Sequence, residues 1–238
     1  MIRALIDSAP IPVLVSEKYT GSCDLLVTYG TGHPIRRPWW EEHRKSGRHC
    51  IGWDLGYWDG MRATIDEDHP TAWIRPEPGD RWDAQKRALR SDADPKGYAL
   101  IVGMGKKSLP VWNLRPLEWE TAAARRAEAA GYITVFRPKS AEYPRLSNVH
   151  TVYGGTIEKA LRGAAIVYCR HSNVAVDACI AGVPVVCESG AAYKLYKDNP
   201  SPTIEQRLEF LRSLAWWNWK ESEAGLAWKY LIDRIQSV

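Results

Sequence analysis

The sequence predicts an α/β fold built on parallel strands. Three observations carry that reading. Short, nearly continuous apolar runs such as Tyr98–Val102 and Ala165–Cys169 have the length and β-branched content of strands buried on both faces. Polar or glycine-rich loops follow those runs, and helical patterns follow the loops, as in Glu118–Ala130 closed by Gly131. The stretch Ala164–Glu188, AAIVYCRHSNVAVDACIAGVPVVCE, contains a whole strand-loop-helix-strand unit.

That unit organises the rest. Ala165–Cys169 reads as a strand, Arg170, His171 and Ser172 as a loop, a helix starts near Asn173, and Pro184–Cys187 reads as a second strand. Ser172 or Asn173 is placed to cap the helix, whose first N–H groups and positive dipole end then face the mouth of the sheet, where anions are favoured. Asp177 shares a helix side with Asn173 by its i,i+4 spacing and suits a ribose diol. Gly182 and Pro184 stop the helix.

Taken in order, Ile2–Val15 reads as an opening strand and turn, and Cys23–Tyr29 as a buried strand ended by Gly30-Thr31-Gly32. The following loop concentrates His33, Arg36, Arg37, Trp39 and Trp40 at a strand's carboxyl end, where open α/β sheets bind ligands. A helix over about Trp40–Ser46 leads to the strand His49–Trp53, which delivers Asp54 into a loop. Met61–Pro95 is polar and irregular, with a helix near Ala84–Leu89, and Ser91–Gly97 reads as a linker. After Tyr98–Val102, Gly103-Met104-Gly105-Lys106 offers glycines for close backbone approach to a phosphate and a lysine to neutralise it. A plain turn explains the same letters, because the spacing is not that of a Walker loop. The strand Ile133–Phe136 ends in Arg137-Pro138-Lys139, whose two cations share a side by strand alternation and face either a diphosphate or solvent. Val149–Tyr153 reads as a short strand and Ile157–Leu161 as a helix. The chain closes with helical patterns from Thr203 and over ESEAGLAWKYLIDRI, and Trp216, Trp217 and Trp219 between them read as core.

Composition bounds the partners. The 238 residues, 45% hydrophobic and 25% charged, are those of a globular protein with a proper core. A formal charge of +4 permits a phosphate-bearing partner without requiring one. No signal peptide or membrane-spanning run is read, so a cytoplasmic protein without a membrane partner is expected. The five cysteines contain no C-x-x-C pair and read as buried free thiols, with neither a zinc site nor a disulfide framework. Twelve Trp and 11 Tyr against 2 Phe favour aromatics with a polar handle, which suit clefts as well as cores.

The strand, Ser-Asn-Val loop, acidic helix and Gly-Val-Pro-Val-Val strand of Ala164–Glu188 resemble the nucleotide-sugar-binding element of GT-B glycosyltransferases, most of all capsule-type and phage-encoded, DNA-modifying ones. The likeness runs more weakly from Tyr98 to the C-terminus, and the Asp54 to Tyr57 step is similar to phage-type relatives. Where the family usually has Glu, this chain has Asp177. The resemblance implies two Rossmann-like lobes: residues 1–95 on the acceptor side, 96–200 binding a nucleotide sugar, and 201–238 as helices crossing back to the first lobe. It implies glycosyl transfer from a nucleotide-sugar co-substrate, UDP-linked with cytidine-linked sugars as competitor. The one D-x-D match, Asp92-x-Asp94, lies in the linker, so little or no absolute metal requirement is expected. Donor contacts would come from Gly103, Gly105, Lys106, Arg137, Lys139, His171, Ser172, Asn173, Val174 and Asp177. Asp54 is the first choice of catalytic base and His33 the second. Arg36, Arg37, Trp39 and Trp40 form a cationic and aromatic patch for the acceptor, with a hydroxymethylated base in double-stranded phage DNA preferred and the host cytoplasm as its setting. A saccharide or small-molecule acceptor, or a non-catalytic nucleotide-binding module of the same fold, are the alternatives.

Overall fold

The computed structural model describes residues 2–237, which divide into two compact units: residues 2–75 with 213–237, and residues 76–212. Their folds are α/β, each built on its own sheet.

The first unit carries a four-stranded sheet in the order β1 (Leu26–Tyr29), β2 (Cys50–Leu55), β3 (Met61–Ile65) and β9 (Asn218–Trp219). Only β1 and β2 run parallel; β3 is antiparallel to both of its neighbours. Helix α2 (Arg36–Lys45) joins the parallel pair, and it starts before Trp40, because His33 O accepts the N–H groups of Arg36 and Arg37 and opens the first turn. The N-terminal segment, expected to be a strand, is helix α1 (Ile2–Asp7). Its Leu5 is buried, and Leu5 O accepts the indole N–H of Trp228 at 2.8 Å from helix α9 (Ala224–Gln236), so packing between helices decides a run whose letters fit either form. Trp53, Trp217, Trp219 and Trp228 close this core with Ile51 and Ile65. The Trp216 to Trp219 cluster therefore serves packing, as expected.

The second unit holds five strands, all parallel, in the order β6 (His150–Thr151), β5 (Thr134–Arg137), β4 (Tyr98–Val102), β7 (Ala164–Cys169) and β8 (Val185–Cys187). All six residues of β7 are buried, the pattern of a strand covered on both faces. Helix α4 (Glu118–Ala129) carries the chain from β4 to β5, α5 (Ile157–Arg162) from β6 to β7, and α6 (Val174–Ala181) from β7 to β8. The chain thus builds outward from β4 through β5 to β6, then returns to β4's other side with β7 and β8. The order reverses between β4 and β7, and the loops after those two strands flank the reversal.

Three local expectations are corrected here. The helix near Ala84–Leu89 is instead a single turn, α3 (Asp80–Asp83), because Lys86 adopts φ 52 and ends it. Ser91–Gly97 is no linker: Arg90 N, Asp92 N and Asp94 N donate to Ile180 O, Ala181 O and Ala164 O at 2.7–3.1 Å, which ties the segment to α6 and β7. The short strand at Val149–Tyr153 contracts to β6, and Tyr193–Tyr196 forms a further turn, α7. Helix α8 (Ile204–Ala215) begins as expected beside Thr203, whose hydroxyl accepts Gln206 N while Gln206 Oε1 accepts Thr203 N. Cys50, Cys169, Cys179 and Cys187 are buried and unpaired, and burial pushes the thiols of Cys50, Cys179 and Cys187 up to about 12.

Gly52 shows how tightly the first sheet is covered. A Cβ there would stand 2.4 Å from Thr31 Cγ2, 2.9 Å from Thr64 Cγ2 and 3.0 Å from Trp40 Cη2. Gly52→Ala is expected to destabilise the protein by about 1–3 kcal/mol through overpacking, read as a lower denaturant midpoint. An unchanged midpoint would show that Thr31 and Trp40 yield freely.

Candidate functional site

The carboxyl edge of the five-stranded sheet collects most of the residues singled out from the sequence. After β4 the chain runs through Gly103, Met104 and Gly105 into a 3-10 turn, Lys106–Ser108. Two bonds fix its course: Gly103 N donates to Arg137 O at 2.9 Å, and Met104 N donates to Glu120 Oε1 at 2.8 Å. Glu120, in the first turn of α4, has no solvent exposure. With Met104 held inward, the N–H groups of Gly105, Lys106 and Lys107 find no protein acceptor among the described residues, and Lys106 and Lys107 expose their side chains. A run of N–H groups without protein acceptors beside two lysines suits an anion.

Gly103 owes its identity to packing. A Cβ would lie 3.0 Å from Pro138 Cα and 3.2 Å from Lys139 N, so the loops after β4 and β5 touch through it. At Gly105 an added Cβ would meet only Ser108 Oγ, at 4.0 Å. Arg137 donates to Gly154 O at 2.6 Å and to Gly155 O at 2.8 Å, so its guanidinium braces the loop that enters α5. Lys139 stands exposed.

From β7 the chain reaches α6 through Arg170, His171, Ser172 and Asn173. The Ser172 hydroxyl accepts Val174 N at 3.2 Å, and Asn173 occupies the N-cap position without a side-chain cap. Val174's N–H, expected to face a phosphate, is therefore already satisfied. His171 Nε2 lies 3.0 Å from Ser108 Oγ, a direct link between the loops on the two sides of the reversal in strand order. Asp177, one turn into α6, is half-buried beside Glu158 of α5 and Arg87. Burial, reinforced by the Glu158 charge, pushes its carboxyl up to about 6 against the pull of Arg87.

The group that ties this edge together was not singled out from the sequence. Glu188, just past β8, accepts the Trp119 indole N–H at 2.8 Å and Arg126 Nη2 at 3.0 Å, and pairs with Arg170. The Arg170 guanidinium lies 4.4 Å from the centre of the Trp112 ring, which in turn neighbours His171 at 6.1 Å between ring centres. Arg170 therefore serves as a strut between the loops after β7 and β8. A polar residue just beyond a buried strand was the available hint for Glu188; its partners on α4 lie more than 60 residues away in sequence.

In the first unit, Asp54 lies in β2 itself. Its Oδ2 accepts Arg62 Nη2 at 3.0 Å and its Oδ1 accepts Leu55 N at 2.8 Å. Arg62 is buried, 5.8 Å from the centre of the Tyr57 ring. His33 Nδ1 accepts Ile35 N at 3.3 Å in the loop before α2. Trp40 is 1% exposed, so its ring is core and no acceptor reaches it, a correction to the surface patch read from the sequence. Arg37 is engaged by Glu41 and Asp68, both at 2.8 Å, Arg36 donates to Tyr29 O, and Trp39 stays half-exposed. Among the described residues no three His, Cys, Asp or Glu side chains group as metal ligands, and no helix is long and apolar enough to cross a membrane.

No family model and no curated protein matches the sequence. Among solved structures, the chain is similar to two transferases of Thermosulfurimonas dismutans KpsC. With the beta Kdo 2,4 transferase it shares 12% identity, covering 79% of this chain and 78% of the other at a TM-score of 0.49. With the beta Kdo 2,7 transferase the identity is 16%, over 87% and 85%, at a TM-score of 0.48. Likeness of this depth assigns neither activity nor ligand.

Asp177 makes the electrostatics testable. A carboxyl whose value is raised from 3.8 to about 6 in the folded state binds its proton more readily folded than unfolded, so its ionised form penalises folding fully above about 6 and not below about 4. Asp177→Asn is expected to raise stability at pH 7 by on the order of 2 kcal/mol and to change it little at pH 4. Chemical denaturation at the two pH values reads this; equal effects at both would contradict the assignment.

Proposed function

We propose that this protein is a glycosyltransferase whose second unit grips the diphosphate of a nucleotide-sugar donor at the carboxyl edge of its parallel sheet. The observation that carries the reading is the reversal of strand order between β4 and β7, flanked by the Gly105 to Lys107 N–H groups and the start of α6. Open α/β sheets bind ligands at such a point, and backbone N–H groups there favour phosphate. In this reading the two units take the parts of the two lobes of a GT-B enzyme.

Glycosyl transfer breaks the bond between the anomeric carbon and the diphosphate oxygen, whose electron pair leaves with the diphosphate, and forms a bond to an acceptor oxygen that loses its proton. The N–H groups of the loop after β4, with Lys106, Lys107 and Lys139, are assigned to the charge that grows on the leaving diphosphate. Donors fixed in advance stabilise such charge without reorganising during the reaction. That assignment asks for no obligatory metal. Asp177 is assigned to the ribose diol: a carboxylate kept half out of water gains most from two hydroxyl donors, which would offset part of its burial penalty. Asp54 is assigned as base. Arg62 and Leu55 N already occupy one lone pair on each oxygen and hold the carboxylate in one orientation.

The acceptor is proposed to be a hydroxyl compound. Arg36, half-exposed Trp39 and the exposed Arg44 and Lys45 favour one that is anionic or flat, and hydroxymethylated DNA is the first to try. UDP-linked donors are the first choice and cytidine-linked ones the second.

Incubation with a panel of mass-tagged nucleotide sugars tests the reading: donor hydrolysis or transfer supports it, and binding without turnover points to a module that only holds nucleotides. Asp54→Asn is expected to reduce transfer by about 10²–10⁴-fold while leaving donor affinity unchanged, the range for loss of a general base. Full activity in that variant would remove Asp54 from the mechanism. Transfer should persist in the presence of a metal chelator; its complete loss, restored by a divalent cation, would contradict the metal-free assignment.

A further inference from the structure

The far end of α6 carries a second arrangement, at the amino edge of the same sheet. Arg207 of α8 is 6% exposed. Its Nη1 donates to Cys179 O at 2.9 Å and to Arg90 O at 3.1 Å, and no other protein acceptor of its guanidinium and no ion pair occurs among the described residues. Gly182 makes room for it. A Cβ at that position would stand 2.8 Å from Arg207 Nη1 and 2.3 Å from Arg90 O, and its φ of 77 suits glycine.

The carbonyl end of α6 offsets roughly half a unit of charge. The remainder is a buried cation without a counter-charge, which proteins ordinarily avoid or complete with a partner. Arg207 also lines a cleft of 70 Å³ with Gly182, Val183, Pro184, Pro200 and Ser201. Three features of this cleft matter together. Pro184 and Pro200 stiffen its lining. The free edge of a guanidinium presents paired donors in a planar fork that matches two oxygens of one ligand. Tyr196 lines the cleft too, and its hydroxyl is buried without a hydrogen-bond partner among the described residues, so Arg207, Ser201 and this hydroxyl are the polar groups at the cleft.

We propose that this cleft binds a small oxyanion, a phosphoryl or carboxylate group, on the Arg207 guanidinium with Ser201 beside it. The volume admits one such group and not a nucleotide, so the site is separate from the proposed donor edge and does not depend on it.

Replacing Arg207 would also remove its bonds to Cys179 O and Arg90 O, so the informative variant is Ser201→Glu. It sets a carboxylate in the cleft lining while leaving those bonds in place. Isothermal titration of the full chain at low ionic strength, with inorganic phosphate and separately with acetate, is expected to give saturable one-site binding of at least one of them. Response to phosphate alone identifies a phosphoryl ligand; response to acetate as well identifies carboxylates. In Ser201→Glu, with unchanged circular dichroism, affinity should fall at least about tenfold, as expected for a like charge placed against the ligand. No saturable binding of either anion to the unmodified chain, or equal affinity in Ser201→Glu, would overturn the proposal.

Discussion

Glu120 accepts the Met104 N–H from a position that solvent does not reach, and the course of the chain after β4 depends on that hydrogen bond. A buried amide stripped of its acceptor costs about 1–3 kcal/mol, so the bond constrains the loop more than its net strength suggests. Gly103 adds the second constraint, since its missing side chain lets the loop lie against Pro138 and Lys139. The next three N–H groups find no protein acceptor among the described residues. The other Glu120 oxygen and the Tyr143 hydroxyl are both buried without a hydrogen-bond partner, and burial together with the Glu120 charge raises the Tyr143 phenol. The loop is therefore held by the single bond to Glu120, beside a core of Met104, Leu109, Trp119 and Phe136.

The same edge shows a division of labour among cations. Arg137, Arg170 and Arg126 are spent on structure: one on two glycine carbonyls, two on Glu188. Arginine suits such bracing because its planar fork satisfies several acceptors at once. The lysines of this edge, Lys106, Lys107 and Lys139, stay exposed as compact charges. Bracing by arginine and solvation of lysine leave the edge positive without fixing every positive group in place.

The second unit was largely legible in the sequence. Strands β4, β7 and β8 and helices α4 and α6 announce themselves by unbroken apolar runs, alanine-rich helical stretches and glycine stops, which are local signals. Where the deciding contact is distant, the letters mislead. Ile2–Asp7 is a helix because Leu5 meets Trp228, and Trp40 sits in the core because Gly52 offers it a flat surface. Ser91–Gly97 looks like a linker by composition, yet neighbouring N–H groups pair with α6 and β7. Of the candidate site, the loop after β4 and the start of α6 were read correctly as neighbours of one sheet edge, since parallel topology alone places them there. The roles of Arg137 as a brace, of Glu188 as a node and of Glu120 as a clamp were not, because each depends on partners brought together only by the fold.

The central claim is that the carboxyl edge of the second unit is a phosphate seat made of backbone N–H groups. Amide-resolved NMR during titration with uridine diphosphate measures it most directly. The account predicts that the amides of Gly105, Lys106 and Lys107 show the largest downfield shifts and saturate together with those of Ser172 and Asn173. Saturation elsewhere in the chain, with these amides unmoved, would contradict it.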